Sequence, residues 1–201
     1  MTDLEKLVKA LEKRGFTVHT APDAAAAREL VLSMLAPAQT IGVGGSITIQ
    51  ELDIADTLLK SGKEVFWHWL KGMDPEEARR KAAFADCYLC SANAVTEDGK
   101  LLFIDGTGNR VAAVSYGPKR VILVIGRNKL AGDESDALRR IRRDTCGPNA
   151  KRLGLKTPCG LGSECVDCSS PQRICNAFLK LERCPKSHPV DVVLVDAPMG
   201  F

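Results

Sequence analysis

A three-layer α/β fold, a mainly parallel sheet flanked by helices, is predicted by three features of this 201-residue sequence. Extended segments of alternating or continuous apolar character take turns with amphipathic segments of helical period along the chain. Val121 to Ile125 is a run of consecutive β-favouring apolar residues, as expected of a strand covered on both faces of a parallel sheet. Ile41 and Val43 lead directly into Gly44, Gly45 and Ser46 ahead of a helical stretch, which makes a strand, glycine turn and helix. With 45% hydrophobic residues the chain can bury a full core, so it is read as one domain over residues 1–201 that includes a cysteine-rich segment at 157–176.

The elements follow in order. Leu4, Leu7, Val8 and Leu11 share one face of a helix from Thr2 to Arg14, and Thr2 with Glu5 forms a capping box. Gly15 ends it, Phe16 to Thr20 alternates as a strand, and Asp23 caps a second helix with Leu30, Val31 and Met34 facing inward until Pro37. Ile47 to Lys60 reads as one helix and Val65 to Trp69 as a buried strand. Asp74-Pro75-Glu76-Glu77 supplies a cap, an N1 proline and first-turn acids for the next helix. Cys87 to Leu89 is a short strand, and Ala92 to Gly108 is a hairpin turning at Asp98-Gly99 and then a glycine turn. Asn109 to Tyr116 is a short helix stopped by Gly117-Pro118, and Asp133 to Arg143 is a helix with acids first and arginines last. Ala177 to Leu181 and Val190 to Val195 are two closing strands.

Composition narrows the function. A net charge of +3 is too small for a nucleic-acid surface, and no stretch approaches the roughly 20 apolar residues of a membrane span. The first residues alternate charge with leucine, unlike a signal peptide, so a reducing cytoplasm is expected. In that setting clustered cysteines more often bind metal than pair as disulfides.

Cys159, Cys165, Cys168 and Cys175 have the spacing C-x5-C-x2-C-x6-C in a loop of Gly, Ser and Pro too polar to fold by burial. An iron–sulfur cluster, a structural zinc and a pair of disulfides are the candidates. Zinc commonly takes two short knuckles, whereas one C-x-x-C with two outlying ligands is more usual for a four-iron (4Fe-4S) cluster. Cys87 and Cys90 sit in an apolar strand on opposite faces and read as buried small hydrophobes, while Cys146 is a reserve ligand or reactive thiol. His19, His68 and His188 read as packed residues.

Two further groups bear on ligands. The turn at Gly44, Gly45 and Ser46 either presents amides to a phosphate or carboxylate, or merely permits a tight turn capped by Ser46. Asn109 and Arg110, following Gly106-Thr107-Gly108, offer an amide and a guanidinium to an anion, and Glu97 is a candidate general base. Arg139, Arg140, Arg142, Arg143, Lys151 and Arg152 form a basic patch, either a solvated helix face or a dock for an acidic electron carrier.

GVGGSIT, AVTEDG, GTGNRVAAVSYGPKRVILVIGRNKL, TPCGLGSECVDCSSPQRICN and the closing VDVVLVDAPMGF, in that order, resemble the LUD (lactate-utilisation) domain family and its short cysteine-rich subgroup. The resemblance implies a fold similar to ribose-5-phosphate isomerase, glucosamine-6-phosphate deaminase and the CoA-transferases. It places Gly44, Gly45, Ser46, Asn109 and Arg110 around a ligand pocket. It implies a part in oxidising L-lactate to pyruvate, with a 4Fe-4S cluster on the four loop cysteines and a redox partner or iron–sulfur subunit. The chain lacks the ferredoxin-like extension of the larger subunits of that system, so it is not expected to be a complete lactate dehydrogenase by itself. The alternative is a phosphate- or carboxylate-metabolite protein of isomerase or transferase type with a structural metal centre, zinc included. A homo-oligomer is compatible with either.

Overall fold

The structure, a computed structural model, describes residues 2–201. Helix α1 (Asp3–Lys13) begins at the expected capping box: the Thr2 hydroxyl accepts from the Glu5 amide at 3.2 Å, and the Glu5 carboxylate accepts from the Thr2 amide at 2.8 Å. Its apolar face buries Leu7 and Leu11.

The main sheet has six parallel strands in the order β1 (Thr17–Ala21), β10 (Val190–Val195), β7 (Arg120–Gly126), β4 (Cys87–Cys90), β2 (Thr40–Val43) and β3 (Glu64–Trp67). Side-chain alternation along each strand feeds two cores. Ile122 and Val124 of β7, with Val193 and Val195 of β10, face α2 (Ala24–Leu35), α3 (Ile47–Glu51) and α4 (Ala55–Lys60). Val121, Leu123 and Ile125, with Val190, Val192 and Leu194, face α1, α5 (Pro75–Ala82) and α6 (Asn109–Ser115). Cys87 falls in the first core and Cys90 in the second, as a spacing of three in a strand requires.

A second sheet, β8 (Leu130–Ala131), β5 (Ala94–Thr96), β6 (Leu101–Asp105) and β9 (Ala177–Leu181) in that order, was not foreseen. The Asp98-Gly99 hairpin joins β5 to β6, with Gly99 at φ +86° and packed so closely on α1 that a Cβ would meet the Ala10 carbonyl carbon at 2.7 Å. Of the two closing strands, only Val190–Val195 enters the main sheet, whereas Ala177–Leu181 pairs antiparallel with β6.

Three boundaries also differ. Residues 47–60 form two helices, because Asp53 turns to φ +49° between the buried Leu52 and Ile54. The strand at 64–67 stops before Trp69. The helix expected to end at Arg143 continues: α7 (Glu134–Arg140) passes through a π-helical turn at Ile141–Cys146 into α8 (Gly147–Arg152). Pro148 has no amide hydrogen for the Asp144 carbonyl and its ring crowds that turn, so the wider register carries the helix past it. No helix of the described residues is long and apolar enough to cross a membrane.

Candidate functional site

β2, β4 and β7 end side by side, and the loops that follow their C-terminal ends enclose a cavity of about 100 Å³. Sites in open parallel sheets form at this edge. The glycine turn after β2 contributes Gly45 and Ser46, the end of β4 contributes Ser91 and Asn93, and the turn after β7 contributes Lys129. Cys146, Asn149 and Arg152 from the π turn and α8, with Trp69 and Ile174, complete much of the wall. Among the described residues, no acidic side chain lines it.

Within the glycine turn, much of the glycine requirement comes from packing. A Cβ on Gly42 would lie 2.4 Å from the Ala82 carbonyl oxygen of α5, and one on Gly44 would lie 2.8 Å from the Tyr88 hydroxyl. Ser46 caps the five-residue α3, its hydroxyl accepting from the Ile49 amide at 3.4 Å.

Arg110 lines the cavity but is heavily engaged by the protein. Its guanidinium donates to Ser91 O and Asn93 Oδ1 at 2.9 Å each and to Ile104 O, and it pairs with Asp105 at 3.5 Å. The buried Asp105 carboxylate accepts from the amides of Thr107, Gly108 and Arg110, so the Gly106-Thr107-Gly108 turn serves to place Arg110. Asn109 lies outside the cavity, on an open groove with Arg79, Phe84 and Gly108. Glu97, on the β5–β6 hairpin, is exposed and lines neither.

Lys129 was not singled out by the sequence reading. It is 3% exposed, and its Nζ donates to Thr48 Oγ1 at 2.6 Å and Ser91 Oγ at 2.8 Å. Burial, then the Arg140 and Arg110 cations, lower its pKa from 10.5 to about 7. Arg140 is a member of the basic patch that is not solvated. It is buried and donates to Asn128 O, Asn93 O and Thr145, which fixes the floor behind Lys129. Arg152 is exposed at the mouth, stacked 5.3 Å over the Trp69 ring, with Nε and Nη2 donating to Asn149 Oδ1 and Nη1 without a protein acceptor among the described residues. A faint signal marked Lys129: a charged Arg-Asn-Lys run directly follows the most apolar strand, at the edge where such sheets bind ligands.

The cysteine loop abuts this cavity, because Cys146 and Ile174 form part of its wall and Cys175 packs with Cys146 in a small apolar cluster. Burial and then the thiols of Cys175, Cys159 and Cys165 push the Cys146 thiol up to about 12. Cys165 is exposed, and Cys159, Cys168 and Cys175 are partly buried. Arg173 organises the backbone by donating to Cys168 O at 2.7 Å and Cys175 O at 3.1 Å while pairing with Asp167 at 2.7 Å. Residues 163–170 carry no regular structure. The donor set suits a thiolate-ligated metal group in its chemistry. As they stand, however, no three His, Cys, Asp or Glu side chains among the described residues are gathered closely enough to hold a metal ion.

The LUD domain model matches residues 4–195, nearly the whole chain. The chain belongs to the LUD domain family. Among solved structures, this LUD protein is similar to a DUF162 family protein from Deinococcus radiodurans, with a TM-score of 0.56 and 15% identity over 96% of both chains, a likeness of fold. No curated protein matches it.

Proposed function

We propose that this LUD protein takes part in oxidising L-lactate, or a related small 2-hydroxy carboxylate, to the 2-oxo acid, with a 4Fe-4S cluster on Cys159, Cys165, Cys168 and Cys175. The observation that carries the reading is the shared wall: a cation-lined cavity and a four-cysteine loop meet at Cys146 and Ile174. The cavity is far smaller than the few hundred cubic ångströms typical of drug-sized ligands, which matches a metabolite of a few heavy atoms.

In this reading Arg152 offers its remaining guanidinium nitrogen to the carboxylate at the mouth. The Lys129 amine, in its unprotonated form, accepts the hydroxyl proton as the alcohol carbon becomes a carbonyl. Completing the oxidation also requires loss of the carbon-bound hydrogen and two electrons, which a redox partner protein or iron–sulfur subunit would have to accept. A 4Fe-4S cluster held by Cys159, Cys165, Cys168 and Cys175 would supply one-electron acceptance. Residues 163–170, which carry Cys165 and Cys168, contain no helix or strand.

A structural-metal alternative, an isomerase- or transferase-like protein on a phosphorylated or carboxylated metabolite, is favoured by one observation: the Lys129 amine and its two hydroxyl partners belong to the sheet edge and α3, not to the cysteine loop. Anaerobic purification separates the readings. Iron and sulfide that disappear in Cys165→Ser but persist in Cys87→Ser support the cluster; zinc, or metal indifferent to Cys165, contradicts it.

A further inference from the structure

The hydrogen bonds around Lys129 leave its amine able to do more than take up a proton. The Thr48 hydroxyl faces Met199 O at 3.4 Å and the Ser91 hydroxyl faces Ala92 O at 3.1 Å, acceptors toward which each can turn its hydrogen. Both oxygens are therefore left as acceptors, and each takes a hydrogen from Lys129 Nζ. A neutral amine has two hydrogens and one lone pair. Both hydrogens are used, and among the described residues Nζ makes no further hydrogen bond, so its lone pair is turned to the cavity that Lys129 lines. An ammonium there would sit near the Arg110 and Arg140 cations with no carboxylate in contact among the described residues.

We propose that Lys129 is a Schiff-base-forming lysine, and that its partner is a small 2-oxo carboxylate held in the same cavity. The assignment rests on the reading of that cavity as a small-carboxylate site, but it needs neither iron nor an electron acceptor. The lone pair of Nζ attacks the ketone carbon and the C=O π electrons move to oxygen. After proton transfer the oxygen leaves as water and a C=N bond to Nζ remains, so the step consumes no oxidant or reductant. A desolvated amine flanked by cations is the setting in which lysine acts as a nucleophile at neutral pH. Ser91 and Thr48 hold the amine at the cavity floor, and Arg152 at the mouth receives the carboxylate. An imine makes the carbon next to the former carbonyl acidic. Proton exchange at the methyl group of pyruvate is therefore the simplest activity the site would show.

The purified full chain is treated with pyruvate and borohydride, digested and mapped by mass spectrometry. The expected product is one modified lysine, Lys129, heavier by pyruvate less water plus two hydrogens and saturating with pyruvate. Acetone, which lacks the carboxylate, should need about tenfold higher concentration, as expected for loss of one charge-assisted contact. No adduct, or adducts scattered over exposed lysines, overturns the proposal, and equal labelling by acetone overturns the carboxylate part. Mapping the wild-type chain keeps the result independent of whether Lys129→Arg folds; that variant, where folded, should lose both adduct and methyl exchange. Iron content and lactate-driven reduction of the same preparation report on the redox reading separately, so either assignment can fail alone.

Discussion

Replacing Lys129 by methionine should stabilise this protein near neutral pH and destabilise it in alkali. The amine is 3% exposed and its pKa falls from 10.5 in the open chain to about 7 in the fold, because burial and the Arg140 and Arg110 cations outweigh the attraction of Glu51 and of any Cys90 thiolate. A basic group with a lowered folded pKa binds fewer protons when folded, so wild-type stability rises with pH between those two values. At about 1.4 kcal/mol per pH unit, the mismatch costs the wild type roughly 4 kcal/mol at pH 7 and under about 1 kcal/mol at pH 10. Methionine fills similar volume without the charge but gives up two hydrogen bonds, to Thr48 and Ser91, at about 1 kcal/mol each. The net expectation is a gain of about 2 kcal/mol at pH 7 that turns into a loss of about 1 kcal/mol at pH 10. Urea unfolding of both proteins across that range measures the difference, in which shared titrations cancel. A variant less stable at pH 7, or a difference independent of pH, would refute the neutral buried amine.

Other perturbations test the frame around it. Gly42→Ala drives a methyl group to 2.4 Å from the Ala82 carbonyl oxygen and should cost about 3 kcal/mol in urea unfolding, with no remedy from a side-chain rotation. Burial pushes the Asp191 pKa up, but hydrogen bonds from Arg120 at 2.7 Å and His19 at 2.9 Å outweigh it and leave the carboxyl below its usual 3.8. Its stabilisation is present above pH 3.8 and lost as the pH falls through the lower folded value. Asp191→Asn should cost about 3 kcal/mol at pH 7 and flatten the acid limb of the stability curve. Arg152→Gln should weaken lactate or pyruvate binding by about tenfold in calorimetry while leaving thermal stability and metal content unchanged, since the side chain is exposed at the mouth.

The sheet and its flanking helices were legible because their signals are local. Thr2 and Glu5 write a cap, Asp74-Pro75 writes another, and the β-favouring apolar run of β7 fits a strand covered on both faces of a parallel sheet. The second sheet was not, because β8 has two residues and β9 meets β6 across a separation of more than seventy positions, beyond any local period. The helix expected to end at Arg143 instead runs on past Pro148, a residue that interrupts a regular helix, by way of the π turn before it. At the site, the cysteine spacing and the arginine in the Gly-Thr-Gly-Asn-Arg turn stood out as motifs, yet the amides of that turn go to Asp105. Lys129 is one lysine among many in the sequence, and only the meeting of three strand ends shows that it is buried in a cavity.

The most direct test of the joined cavity and cysteine loop is an anaerobic titration of the purified protein with L-lactate, followed by electron paramagnetic resonance in the presence of a one-electron acceptor. The account predicts an iron–sulfur signal that changes with lactate, saturates, and is abolished in Cys165→Ser. An iron-containing protein whose spectrum is indifferent to lactate at every concentration, or a protein that holds no iron, would contradict it.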